Sequence, residues 1–465
     1  MSQETLRKLI ECAIACGRKR LNPQTGFVHH YYQSEGSEVA VTIPTLENMV
    51  FALALLRSRN ADNILEAKSL LERILPFQSE GNFPVYIHDY PLCRDRYLSY
   101  QLLPPLYWIL SQFHAVLGQE LKKKLTSVAQ TLLHAALQIQ EEKPAPSQLA
   151  IKLYASAEAF GRYWQEEALK EKGAQGLQTL DSASWYSPGQ LGDWMSALQL
   201  AETPNPGFWQ HISNTWDRNS CSYCGPAVKE YQQGFEPQPT LYDLFLGYMT
   251  DALSSRALAD GIHLLHGALI QPTTQALPEP TVVPCAVTFA IAERDKSWNQ
   301  ANDKSFHPLR MVWGSPKRLH TFVCQGGNVR SYQSLLEDAA IDFVFELGDP
   351  IESDDREKNR EIAFYLDLSD AHRITVNGVA ATTFTTADTV CINSGSLALT
   401  LTFQVVEGEG TFMGHIMKGN RPAQISLKGD NRFNAYDWQI FLRTVRRTGP
   451  SHIRACIHYS NEVSQ

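Results

Sequence analysis

The stretch QPTTQALPEPTVVP, residues 271–284, separates two parts of this chain that follow different hydrophobic periods. It holds four prolines and no helical repeat, so it reads as a linker. Before it, apolar residues recur at the spacing of a helix. After it, short runs alternate apolar with polar, the mark of half-buried strands.

Helical spacing predicts helices over 3–19, 45–58, 62–77, 98–117, 119–140, 147–170, 189–201, 206–213 and 240–267. Pro44 stands just before the second, as helix starts prefer. Pro104 and Pro105 fall inside the fourth and are expected to kink it or mark its true start. Roughly nine helices in the first 270 residues, joined by aromatic and polar loops, fit a ring or solenoid of hairpins. No strict short repeat is visible, which disfavours a regular repeat array. Beyond 284, runs such as IDFVFELG, EIAFYLDL and LALTLTFQVV predict nine or more short strands in a sandwich of antiparallel sheets. Asn377-Gly378 marks a hairpin, HRITV–NG–VAATTF. The expected fold is therefore a multidomain α-then-β chain. Residues 1–270 form a helical toroid of hairpins, 271–284 a linker and 285–465 an antiparallel β-sandwich.

At 465 residues the chain exceeds what one core usually serves, which supports more than one domain. A formal net charge of -8 argues against a dedicated nucleic-acid or anionic-membrane binder. No run approaches eighteen apolar residues, so no membrane span is expected. The first residues, MSQETLRKLIECAIACGRKR, read as an amphipathic helix rather than a secretory signal, and the expected location is cytoplasmic. Nine scattered cysteines do not form a disulfide framework. Cys221 and Cys224 in CSYC make one CxxC without a second pair, short of the four ligands a structural zinc wants. Neither a metal nor a cofactor is expected. No Walker A, dinucleotide-binding GxGxxG, HExxH or GxSxG signature occurs. The sequence leaves the oligomeric state open.

A helical hairpin domain followed by an antiparallel sandwich resembles the polysaccharide lyases of the heparinase II/III-like and chondroitin-lyase-like groups. GNFPVYIHDYP, CGPAVKEY and GEGTFMGHIMKGNRP carry the texture of such chains. The resemblance covers nearly the whole sequence as architecture, and no position is fixed by a matched motif. It implies an oligo- or polysaccharide partner and a site built of Asn, Tyr, His and Arg in a cleft between toroid and sandwich. Exported members of those groups carry leaders, and none is expected at the start of this sequence.

Removing the C5 proton of a uronate builds negative charge on its carboxylate. A site for that step must hold the carboxylate, supply a base and protonate the leaving oxygen. Residues 81–97 offer each part: Asn82, Tyr86, His88 and Tyr97 as catalytic candidates, with Arg94 and Arg96 as substrate-binding ones. An arginine beside a tyrosine lowers its pKa. The plain alternative is a loop staple at His88–Asp89 and a solvated turn at Arg94–Asp95–Arg96. VHHYYQSEG, residues 28–36, adds His30 and Tyr31, with Asn48 early in the next helix. Trp185 and Trp194 are candidates for stacking on sugar rings, or else core filler. In the sandwich, His415, near Lys418, Asn420 and Arg421, is a substrate-binding candidate on a loop closing over the toroid mouth, or else part of a hairpin loop without a role. Arg443 and Arg447 are expected to form ion pairs with the other domain.

Three functions follow. The first is a lyase acting on a uronate-containing glycan by β-elimination. The second is a glycoside hydrolase on a helical toroid, for which Asp89, Asp95 and Asp193 are the available acids. The third is a noncatalytic glycan-binding or scaffold protein.

Overall fold

The computed structural model describes residues 3–30, 42–180, 188–214, 216–217, 222–223, 239–251, 253–255, 257–272, 277–278, 287–291, 309–315, 318–324, 329–337, 340–350, 360–367, 372–394, 397–418 and 436–460. It divides into two compact units. One comprises Met1–Ser182, Pro188–Phe208 and Pro239–Leu277; the other comprises Ala183–Ser187, Trp209–Gln238 and Pro278–Gln465.

The first unit is helical. Its elements are α1 (Gln3–Arg20), α2 (Thr45–Arg57), α3 (Ala61–Ile74), α4 (Leu98–Leu117), α5 (Gln119–Glu142), α6 (Ser147–Trp164), α7 (Glu167–Gln178), α8 (Pro188–Leu198), α10 (Leu241–Met249) and α11 (His263–His266), and α9 (Pro206–Asn214) spans the division. Helices α2, α4, α6, α8 and α10 each pack on the next; α10 touches α11, α11 touches α1 and α1 touches α2. Helices α3, α5 and α7 lie against α2, α4 and α6. The sequence explains the two roles. Helix α2 is buried on every side from Met49 to Leu56, whereas α3 buries only Ala67, Leu70, Leu71 and Ile74 along one stripe. Each fully buried Leu or Val there stabilises the unit by about 1.5–3 kcal/mol relative to exposure.

Three expectations change. The helix expected over 147–170 is two, because Gln165 adopts a left-handed conformation (φ 62°) and reverses the chain into α7. The one expected over 240–267 is also two, α10 and the single turn α11. Helix α4 starts at Leu98 and runs through Pro104 and Pro105, both buried among apolar neighbours. In the expected linker, Gln271 is tied to the helical unit: its N–H donates to Gln199 Oε1 at 2.9 Å. Residues 273–276 and 279–284 lie outside the described residues. Among the described residues, no helix is long and apolar enough to cross a membrane.

The second unit holds two antiparallel sheets. Its strands are β3 (Val287–Ile291), β4 (Leu309–Ser315), β5 (Arg318–Cys324), β6 (Val329–Glu337), β7 (Ala340–Leu347), β8 (Arg360–Asp367), β9 (His372–Val376), β10 (Thr383–Phe384), β11 (Thr389–Ser394), β12 (Leu397–Glu407), β13 (Gly410–Lys418), β14 (Tyr436–Arg447) and β15 (Ser451–Ser460), besides the short pair β1 (Trp216–Asp217) and β2 (Ser222–Tyr223). The seven-stranded sheet runs β10-β13-β14-β8-β5-β4-β3 and the six-stranded one β6-β7-β15-β12-β11-β9. Alternate residues of both fill one core: Phe322, Phe364 and Leu442 from the first sheet, Phe343, Leu399 and Ile453 from the second. Trp313 Nε1 donates across it to Ser394 Oγ at 3.1 Å. Asn377 (φ 50°) and Gly378 (φ 80°) make the expected turn. The hairpin beyond it is one bridge long, Val376 to Val379, and β9 pairs instead with β11.

Candidate functional site

A cavity of about 470 Å³ opens in the helical unit. Its wall includes Leu46 and Glu47 of α2, Leu98 and Gln101 of α4, Gly189 and Asp193 of α8, Leu241 of α10 after its cap Thr240, and Ile262, His263 and His266. Val85 and Asp95 of the 81–97 segment complete one side. Four helices present their N-terminal turns to this space. A helix N-terminus carries a partial positive charge of roughly half a unit. The described wall contains no Lys or Arg.

Local interactions fix the wall. Pro44 precedes α2, and Asn48 locks the incoming strand onto the helix: Nδ2 donates to Val28 O at 2.9 Å and Pro44 O at 2.8 Å, and Oδ1 accepts from Val28 N–H. Glu47, 1% exposed, is thereby turned inward. His266 Nε2 stands 3.1 Å from Glu47 Oε1, bringing together residues 219 apart in the chain. Nε2 is thus the ring nitrogen that faces the carboxylate. Glu47 Oε2 is buried without a hydrogen bond among the described residues. Lys152, nearly buried, lies 2.8 Å from Asp193. Asp95 Oδ1 accepts from the N–H of Tyr97 at 2.9 Å. At α10, Thr240 and Asp243 form a reciprocal cap. Burial pushes the His263 imidazole below its ordinary value despite the bond from its Nε2 to Ala257 O. Among the described residues no cluster of three or more His, Cys, Asp or Glu is placed to hold a metal ion.

The 81–97 segment borders this cavity through Val85 and Asp95, while the residues singled out in it take other places. Asn82 is buried: Nδ2 donates to Asp95 O at 2.8 Å and Oδ1 accepts from Phe83 N–H at 2.9 Å, so its amide clamps the loop. Tyr97 OH donates to Lys143 O at 3.3 Å. Tyr86 stacks on His88 with ring centres 5.7 Å apart and planes 8° from parallel. His88, Arg94 and Arg96 are exposed and do not line the cavity.

His30 is held by its backbone, whose N–H donates to Thr42 O at 2.9 Å. Burial lowers its imidazole pKa first of all, with the Glu47 charge acting against this and that of His266 with it. Tyr31 and Trp185 lie outside the described residues, as do Cys221, Cys224, Asn420 and Arg421. Trp194 is fully buried and stacks on Phe208 at 4.6 Å, which makes it core rather than a sugar platform. His415 sits within β13 and not on a loop; it is buried against Phe441 and accepts from Arg443 Nε at 2.8 Å. Arg447 pairs with Glu361 at 2.9 Å, inside its own sandwich and not with the helical unit.

Sequence reasoning named Asp95 and Asp193 only as available acids and missed Glu47, His263 and His266. The available signal was an acid inside TLENMVFALALLR, a helix apolar on all faces. An ionisable group in such a helix needs a partner.

No family model matches the chain, and no curated protein matches it. Among solved structures the chain is similar to heparinase III at 9% identity, over 100% of this chain and 86% of that one, with a TM-score of 0.45. It is similar to the chondroitin AC lyase of Streptomyces coelicolor A3 at 8% identity, over 99% and 80%, with a TM-score of 0.43. A mutant of the heparan sulfate lyase HepC from Pedobacter heparinus gives 9% identity over 100% and 84%, with a TM-score of 0.35. These likenesses assign no residue of this chain.

Proposed function

We propose that the chain is a carbohydrate-active enzyme that cleaves a uronate-containing glycan by β-elimination in the cavity of its helical unit. We read the circuit of α1, α2, α4, α6, α8, α10 and α11 as an (α/α) toroid with this cavity at one mouth. The observation that carries the reading is the Glu47–His266 pair on the wall of a space large enough for a sugar unit. A buried carboxylate fixes the imidazole's tautomer and orientation and stabilises the imidazolium that forms when it takes a proton. His266 Nδ1 accepts the C5 proton. The electrons of the C5–H bond form the C4–C5 double bond, the C4–O bond breaks, and the leaving oxygen recovers the proton from the imidazolium. The charge developing on the uronate carboxylate meets the four helix N-termini and the Gln101 amide, in place of an arginine.

Hydrolysis is the second reading, favoured by Asp95 and Asp193 on the same wall. Both carboxylates already have partners, Asp193 in Lys152 and Asp95 in the Tyr97 N–H. Product analysis over a panel of uronate polymers separates the cases. Elimination yields an unsaturated, ultraviolet-absorbing end. Hydrolysis yields reducing ends without it. Retention of glycan with neither product marks a binding protein and ends the enzymatic proposal.

A further inference from the structure

The segment that forms one side of the cavity continues as an exposed, aromatic and basic surface. We infer that residues 86–96 are an outer subsite for the continuing glycan, which stacks sugar rings on Tyr90 and the Tyr86–His88 pair and meets acidic groups with Arg94 and Arg96. This deepens the proposed function and rests on its placing of the reacting unit beside His266.

Four observations converge. Tyr90 and Leu92 are 47% and 58% exposed and stand two residues apart on the same loop. Tyr86 and His88 present a stacked pair, and aromatic faces suit the C–H faces of pyranoses. Arg94 and Arg96 are exposed and have no ion pair among the described residues. The occupant follows from continuity: Val85 and Asp95, at the two ends of this stretch, line the cavity itself. A chain leaving the cavity past Val85 and Asp95 would meet the stretch between them. Charge agrees, because the cavity wall lacks Lys and Arg while the loop supplies both arginines, where further acidic units of the glycan would lie.

The surface is built to keep its shape. Thr45 N–H donates to Val85 O at 2.9 Å and Ile87 N–H to Ile43 O at 2.9 Å. Leu92 N–H donates to Asp89 O at 2.8 Å, and the Asn82 amide holds Asp95 O at the far end. Phe77 packs edge-on beneath Tyr90 at 5.7 Å. A platform pinned at both ends loses little freedom on binding.

The experiment is calorimetric binding of dimers and hexamers of galacturonate and of glucuronate–hexosamine to the full chain. The wild type is expected to bind at least one hexamer about tenfold more tightly than its dimer, the effect of one or two such contacts, and added salt shrinks the gain. The exposed double variant Arg94→Ala/Arg96→Ala removes most of it and leaves dimer binding unchanged; Tyr90→Ala removes part, with circular dichroism confirming that both fold. Hexamers that bind no better than dimers, or a length gain that survives the variants, overturn the subsite. Length-dependent binding without product would keep the subsite and reject the elimination chemistry. Product formation without length dependence does the reverse.

Discussion

His266 Nε2 and Glu47 Oε1 face each other at 3.1 Å, although His266 ends α11 and Glu47 lies in α2, the second helix of the chain. A buried carboxylate aimed at an imidazole on a cavity wall does little for stability that an apolar pair would not do as well. In the proposed mechanism its role is proton transfer. Glu47→Gln preserves shape but removes the charge that stabilises the imidazolium. A fall in kcat of about 10²–10⁴-fold with KM little changed is expected. His266→Ala lowers kcat at least as far. A change confined to KM would make the pair a binding contact.

Acid should loosen the helical unit through His263. Burial holds its pKa below the ordinary 6.5. The unfolded chain therefore binds a proton more readily than the folded one. Stability is full above pH 6.5 and falls as the pH drops from there toward the lowered folded value. Thermal melts between pH 7.5 and 5 read this directly. His263→Gln, which keeps a donor toward Ala257 O, should flatten the slope in that window.

The sandwich contains an ion pair with almost no solvent. Arg447 and Glu361 side chains are 0% and 2% exposed at 2.9 Å, and Thr444 Oγ1 also donates to Glu361. Removing one partner strands the other charge in the interior. Glu361→Ala is expected to destabilise by about 3–5 kcal/mol in urea unfolding, whereas replacing both partners with apolar residues of similar volume should cost far less. Equal losses for the single and double changes would contradict the argument.

Helices α6 and α7 approach too closely for any side chain at Gly173. A Cβ there would meet the backbone N of Glu158 at 2.3 Å and Tyr154 O at 2.6 Å. Backbone cannot swing aside as a flexible side chain can. Gly173→Ala is expected to cost about 1–3 kcal/mol in spite of alanine's better helix propensity. A neutral or stabilising effect would mean the pair tolerates separation.

Periodicity made most of the helices legible. The stretch 98–117 reads as one helix from its apolar spacing alone, and the two prolines inside it do not break it. What periodicity could not show was the turn at Gln165. A left-handed residue between two amphipathic runs leaves the apolar count unchanged, and only the close approach permitted by Gly173 and Gly176 reveals the reversal. The short strand partner after Asn377-Gly378 failed for a different reason: β9 finds more ladder with β11 than the turn offers. The site was legible only in part. The stretch 81–97 stood out by composition and does border the cavity through Val85 and Asp95, while its Asn82 and Tyr97 hold backbone together. Glu47 and His266 were hidden because each sits in an apolar run that reads as core, and nothing local to either announces a partner 219 residues away.

The most direct test is the rise of ultraviolet absorbance when the protein is incubated with uronate polymers, measured for the wild type and for His266→Ala. The account predicts an unsaturated product from at least one polymer with the wild type and none above background with the variant. Cleavage that yields only saturated ends, or unsaturated product formed equally fast by His266→Ala, would contradict it.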